Sequence, residues 1–480
     1  MRSWHEHWRG PGGGREVLAF SYPLILGQMT FTLQSFINRL LLTWYSPDAV
    51  AAVTASLFVA QVGILICAGT GQYTTTFIAQ YLGAGRPERV GPMMWQGIWF
   101  ALGSGLVLAA LAPAAGAIFD AAGHAPALRA DETAYARILL SGSFPIILMP
   151  TLGSFFAGRG ATRVVLLGNG VAALTNVVLD YLWIFGRLGF PEGGVAGAAL
   201  ATVASNVLGA TLLFGLMIRR PFRTEFATLR GFRLEPRLLG RLLRFGLPAG
   251  SHFPLELLAL AVFTLIIGRL GMTELAATGI AFSLNGLVFM PMVGLGIGVS
   301  ALVGRYQGSR RPDLSERVTW TAFRWSLAYM LVWSGVYFFL PHQLLGPYAA
   351  GADARTFTPV AAITVMLLRF IAVYSVFDMM NAIFAAGLRG AGDTAFPLVV
   401  TVVAWMVTLV PIWVACVQFD GGVLVAWSLV SLCFVGEGLA MLARYRAGRW
   451  RDVRLIERDV TSPELDADGI AGGRDRRSGT

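Results

Sequence analysis

The sequence predicts an all-α integral membrane protein, with twelve transmembrane helices in two parallel-repeat six-helix lobes, and three observations carry that expectation. The first is composition: of 480 residues, 55% are hydrophobic and 13% charged, with a mean hydropathy of +0.64. That is too little charge to cover a soluble chain of this length. The second is the size of the apolar runs. About 20 apolar residues cross the hydrocarbon core as a helix, and runs of that size recur from end to end without the alternation of a barrel strand. The third is an internal repeat. Pro23 in "FSYPLILG" and Pro248 in "FGLPAG" lie 225 positions apart, and the same offset places Ala51–Ala52 on Ala276–Ala277 and "YLGAGRPE" (81–88) on "YQGSRRPD" (306–313). Each half holds an even number of spans, so the halves run parallel, related by an axis along the membrane normal.

In chain order the spans are expected near 17–43, 50–81, 93–118, 133–157, 162–186, 194–218, 239–268, 273–304, 316–340, 357–388, 393–418 and 422–445. The first run is too long for a cleaved signal and lacks a clear small-residue site, so it is expected to remain as a span. This divides the chain into an amino-terminal segment (1–16), a first lobe (17–218), a linker (219–238), a second lobe (239–446) and a tail (447–480). From about Asp459 the tail is polar and Gly-rich, the composition of a disordered segment.

A net charge of +10 raises the question of nucleic acid, but the arginines gather in alternate connections instead of on one face. "RPERVG" (86–91), "GRGATR" (158–163), residues 219–244, "RYQGSRRPDLSERV" (305–318) and the tail from Arg444 are rich in them, and the intervening connections are poor. By the positive-inside rule both termini are expected to be cytoplasmic, in a multi-pass plasma (inner) membrane protein that binds lipid and no nucleic acid. Cys67, Cys416 and Cys433 give neither metal spacing nor a disulfide framework. With no nucleotide loop and no catalytic constellation, the chain is not expected to be an enzyme or to hold a cofactor. Any pumping would draw on an ion gradient or a separate subunit.

Acids inside spans are costly, about 2.5–3.5 kcal/mol each at mid-helix on the insertion scale, so each needs a partner, a cavity or a proton. Three stand well inside: Asp180, Glu256 and Asp378. Glu437 lies nearer the arginine-rich end, where a structural or interfacial role is expected. Asn176 is one turn before Asp180, and Thr202 can approach from the next span. Carboxylate, amide carbonyl and hydroxyl are hard ligands suited to Na+ or to holding a proton on a desolvated acid. Pro254 lies between His252 and Glu256 and frees a carbonyl there. Asp378 has Tyr374 one turn before it and Asn381 nearly one after. A salt bridge from Asp378 to Arg369 is not expected, since nine residues put the two on different helix faces.

"FINRLLLTWYSPDAVAA", "GAGRPE", "NVVLDYLWIFGRLGFPEGGVAGAALAT" and above all "GLRGAGDT" resemble the signature stretches of the multidrug and toxic compound extrusion (MATE) family, over about residues 17 to 445. The resemblance implies a V-shaped pair of six-helix lobes that exports small organic, often cationic, amphiphiles in exchange for Na+ or H+, here as a monomer. Carried over by position, it assigns the amino-terminal cation or proton site to Asn176, Asp180 and Thr202. It assigns the carboxy-terminal acids to Glu256 and Asp378, with Tyr374 as companion; Asn381 and His252 are expected in support from their spacing alone. Asn38 stands where many bacterial members have aspartate. It can offer a carbonyl but not a charge, which weakens the expected Na+ affinity and throws weight onto Glu256 and Asp378. A flippase for lipid-linked oligosaccharide is the second possibility, for which Arg369 alone speaks.

Overall fold

The structure, a computed structural model, describes residues 8–121, 126–229, 231–349, 354–419 and 421–457. Among these residues there are helices and no strand. In chain order they are α1 Gly14–Tyr45, α2 Pro47–Gln72, α3 Thr74–Gly83, α4 Val90–Leu111, α5 Ala115–Ala121, α6 Pro126–Ser141, α7 Ser143–Gly158, α8 Thr162–Phe185 and α9 Gly194–Met217. There follow α10 Arg220–Glu225, α11 Pro236–Gly268, α12 Met272–Gly308, α13 Pro312–Phe339, α14 Pro341–Ala349, α15 Ala354–Ala391, α16 Ala395–Gln418 and α17 Val423–Arg446.

Twelve spans emerge when α2 with α3, and α6 with α7, are each taken as one. Among the described residues nine stretches are long and apolar enough to cross a membrane, and the α6–α7 pair, bent by 47°, makes a tenth. The other two are α1 and α13, of 32 and 28 residues. Their length suffices, but they carry more polar side chains. On α1 several hydroxyls are satisfied within the helix, Thr30 donating to the Leu26 carbonyl and Thr32 to that of Gln28, which lets polar residues stay at membrane depth. Two expected spans are corrected in form. The one placed at 50–81 breaks at Tyr73, and the one placed at 133–157 starts by Pro126 and bends at Gly142.

The seam between halves displays the repeat. Gly83 on α3 leaves no room for a Cβ beside the Arg305 carbonyl, and Gly308 on α12 leaves none beside the Gln80 carbonyl. These two contacts exchange under the 225-residue offset. So do two others: a Cβ on Gly69 would lie 2.8 Å from the Gly250 Cα, and one on Gly294 would lie 2.6 Å from the Ile25 Cα. Small residues let helix backbones touch where lipid-like apolarity gives no hydrophobic drive to associate. The same seam carries a Thr76–Ser300 hydroxyl pair at 3.1 Å and a hydrogen bond from the Tyr73 hydroxyl to the Arg389 carbonyl at 2.7 Å. Together the contacts hold the halves together from the arginine-rich end toward mid-span.

The linker is strapped to α4. Gly91 N–H donates to the Phe226 carbonyl, Trp95 Nε1 to that of Thr228 at 2.6 Å, and Gln96 Nε2 to that of Arg233 at 3.1 Å. Nearby, the Arg159 guanidinium lies 4.1 Å from the Phe222 ring centroid and 5.0 Å from that of Phe226.

The tail beyond α17 is docked as far as Glu457; residues 458–480, which include the stretch from about Asp459 expected to be disordered, lie outside the described residues. Trp450 is buried in the second half against Tyr445, centroids 4.9 Å apart, while Leu455 is buried in the core of the first. Glu457 pairs with Arg89 at 3.0 Å and Arg241 at 3.2 Å and accepts from the Tyr81 hydroxyl at 2.8 Å. Burial pushes the Glu457 carboxyl up, but its own backbone N–H, the Tyr81 hydroxyl, Arg89 and Arg241 outweigh this and hold it below the usual carboxylate range. A depressed folded-state value means the ionised carboxylate stabilises docking above the ordinary carboxylate range, and that contribution disappears as pH falls through the depressed value. We expect the backbone amides of residues 451–457 to exchange with solvent deuterium faster, relative to their intrinsic rates, as pH is lowered into that range. In Glu457→Gln they should exchange fast at every pH; equal rates for the variant and the parent at neutral pH would show that the carboxylate does not hold the tail.

Candidate functional site

The first half builds its polar site from three helices. Gly186 ends α8 in the left-handed region, φ 62°, and Gly193 N–H donates to the Trp183 carbonyl, so the short turn lays α9 against α8. That brings Thr202 of α9 opposite Asn176 and Asp180 of α8, both fully buried, and α1 supplies Asn38 from the other side. Asn38 Nδ2 donates to Asp180 Oδ2 at 3.0 Å. With its amide oriented to satisfy its neighbours, Asn176 donates to the same oxygen at 3.0 Å and accepts from the Thr202 N–H at 3.3 Å. Asp180 Oδ1 is buried with no hydrogen-bond partner. Two amides thus hold one carboxylate oxygen and leave the other open to a proton or cation.

The structure corrects one detail of the sequence expectation here. Thr202 meets Asn176 through its backbone N–H, while its hydroxyl donates to the Ala198 carbonyl at 3.1 Å within its own helix. Helical Ser and Thr commonly bond back one turn in this way.

The second half gathers its acids from α11, α15 and α17. Glu256 and Asp378 are buried and interact electrostatically with one another. Asp378 Oδ1 and Asn381 Oδ1 have no hydrogen-bond partner. Tyr374, expected beside Asp378, is near enough to feel its charge, and its ring stacks on Phe434 at 4.7 Å. His252 does not pair with Glu256, one turn away. Its Nδ1 faces Arg389 Nη1 at 3.4 Å and its Nε2 faces Thr401 Oγ1 at 3.2 Å. Arg369 is exposed, its guanidinium 5.8 Å from the Phe338 ring, and pairs with no acid among the described residues.

Two functional candidates escaped the sequence. Arg389, inside "GLRGAGDT", brings a guanidinium to His252 and Glu256. Glu437, expected near the helix end, is fully buried beside the other acids. Its position could have been found by counting: α17 ends at Arg446, and nine residues at about 1.5 Å each put Glu437 well inside.

No group of three His, Cys, Asp or Glu among the described residues converges to hold a metal ion. A Na+ would depend on one carboxylate oxygen, such as Asp180 Oδ1, completed by neutral oxygens. Of those, Asn176 is already committed to Thr202, so the donor set suits a proton more readily than a cation of high coordination number.

A duplicated bundle with buried, half-satisfied acids in each half is the architecture of a polytopic membrane carrier. The chain belongs to the MatE family, whose profile matches residues 23–182 and 248–414, and it is accordingly a transporter and not an enzyme. It is 29% identical over 460 residues to "Probable multidrug resistance protein NorM" of Mesorhizobium japonicum, covering 94% of this chain and 95% of that one. To the protein of the same name from Thermotoga maritima it is 26% identical over 452 residues, with 93% and 95% covered. In fold it is similar to a multidrug resistance MATE family transporter of the MOP superfamily in an outward-facing conformation, with a TM-score of 0.82 at 23% identity and 93% and 98% of the two chains covered.

Proposed function

We propose that this chain is a secondary active antiporter that exports organic, cationic amphiphilic compounds across the plasma (inner) membrane in exchange for Na+ or H+. The observation that carries this is the pair of buried carboxylate oxygens without partners, Asp180 Oδ1 in one half and Asp378 Oδ1 in the other. A buried carboxylate oxygen left unpaired is unfavourable by several kcal/mol unless a proton or cation visits it. Neutralising it removes the attraction for a cationic substrate, which makes ion and substrate compete. The names of the multidrug resistance relatives support export of drug-like compounds.

The arginine distribution supports cytoplasmic termini, and the glycine seam at that end supports a carrier open to the exterior. Working as a monomer, it would take up the ion at the acids from outside, release the substrate there, turn inward, give up the ion and bind the next substrate. Membrane potential adds about 2.3 kcal/mol per elementary charge per 100 mV to any net charge moved. The flippase alternative draws no support from Arg369, which faces an aromatic ring on an exposed position.

The test is uptake of a fluorescent organic cation into proteoliposomes under an imposed Na+ or pH gradient, for the parent, Asp180→Asn and Glu256→Gln. Gradient-driven movement in the parent that is lost in a variant supports antiport and names the ion. A folded parent that moves no cation under either gradient sinks the proposal.

A further inference from the structure

We propose that Glu437 is a proton-exchanging residue of the carboxy-terminal pocket, so that this half carries its coupling charge as protons on more than one carboxyl. The inference rests on the antiport proposal above and deepens it by naming the ion.

The geometry is specific. On α17, Gly438 leaves no room for a Cβ against the Phe377 carbonyl of α15, so the two backbones touch beside Glu437 and Asp378, the next residues along. Glu437 is 0% exposed, and neither Oε1 nor Oε2 has a hydrogen-bond partner. This is a different situation from Asp180, whose Oδ2 holds two amides.

The charged and titratable groups facing Glu437 are few. Asp378 of α15, Glu256 of α11 and Cys433 of its own helix interact with it electrostatically; beyond them, Tyr374 of α15 feels Asp378 and Glu256, and Arg389 of α15 meets His252 and Glu256 of α11. Helix α16 contributes the neutral Thr401, whose hydroxyl meets His252 at 3.2 Å and lies within reach of the Glu437 carboxyl. Three carboxyls therefore share one guanidinium, which His252 and Glu256 already occupy. Fully ionised, the cluster would bury two uncompensated negative charges, which a low-dielectric interior does not tolerate.

A single shared metal ion does not relieve this, because no three of these side chains converge on one point among the described residues. A proton needs no such convergence: it adds to one oxygen. The step is one O–H bond made at a Glu437 carboxylate oxygen with a proton taken from water on one side of the membrane. The same bond is broken, with the proton returned to water, on the other side.

Infrared difference spectroscopy on the full-length chain in lipid, titrated with pH, reads the C=O stretch of protonated carboxyls directly. The parent should show pH-sensitive carboxyl bands, and Glu437→Gln should lose one of them, with fewer protons released when tetraphenylphosphonium binds. Glu437→Asp, the second variant should the Gln side chain prevent folding, should keep a band at shifted frequency and restore proton release. A spectrum in which Glu437→Gln removes no band overturns the proposal. So does a removed band that had not changed over the pH range in which the parent transports. The infrared titration needs no substrate, so parent vesicles that move no cation would overturn the antiport proposal alone.

Discussion

Asp378→Asn is expected to lower gradient-driven transport by about 5–150-fold, the range of a 1–3 kcal/mol coupling free energy, and to weaken binding of an organic cation, while the chain stays folded. Asp378 is buried with Oδ1 unpartnered, so an amide of the same shape removes the charge without opening a cavity. It also relieves the electrostatic conflict with Glu256 and Glu437. The variant should therefore be at least as resistant to heat as the parent even as it loses coupling, a combination that a purely structural aspartate would not give. The measurement pairs thermal unfolding in detergent with proteoliposome uptake under the driving gradient. Retained coupling would remove Asp378 from the mechanism, and a collapsed melting temperature would make it a structural residue.

Asn38→Asp is expected to strengthen Na+ binding in the first half. Asn38 Nδ2 now donates to Asp180 Oδ2 at 3.0 Å. Aspartate would replace that donor with an oxygen and put two carboxylates face to face. Like charges that close cannot both remain ionised without a proton or cation between them. The variant should melt higher as Na+ is raised, by mass action of a ligand that binds only the folded chain. The parent should respond much less. Should the variant ignore Na+ but gain stability as pH falls, the pair shares a proton instead, and the first half is a proton site in either background. Indifference to both would mean that the two side chains move apart when charged and that Asn38 does not shape the site.

How far these sites could be read beforehand differs from residue to residue. Asn176 and Asp180 are one turn apart on one helix, so their shared face follows from helical geometry alone. Thr202 followed from the short α8–α9 connection, yet the group that reaches Asn176 is its backbone N–H, because the hydroxyl had a carbonyl available one turn back. His252 and Glu256 are likewise one turn apart, but Arg389 from α15 and Thr401 from α16 hold the imidazole, a competition that spacing along α11 does not contain. Glu437 was placed by its nearness to the arginine-rich end, whereas its burial comes from the backbone contact of Gly438 with α15.

The sequence by itself determined the membrane class, the twelve spans and the 225-residue repeat. Hydropathy and helical length are local properties of the chain, and a duplicated pattern survives as matching residues at a fixed offset. Even the seam was latent in it, since Gly83 and Gly308, Gln80 and Arg305 are repeat partners. Only the tertiary structure decided which acids share a pocket, which oxygens are left without partners and where the tail goes. Those depend on side chains from helices more than a hundred residues apart, as with Glu437 and Glu256 or Glu457 and Arg89, and packing, not local pattern, sets their separation.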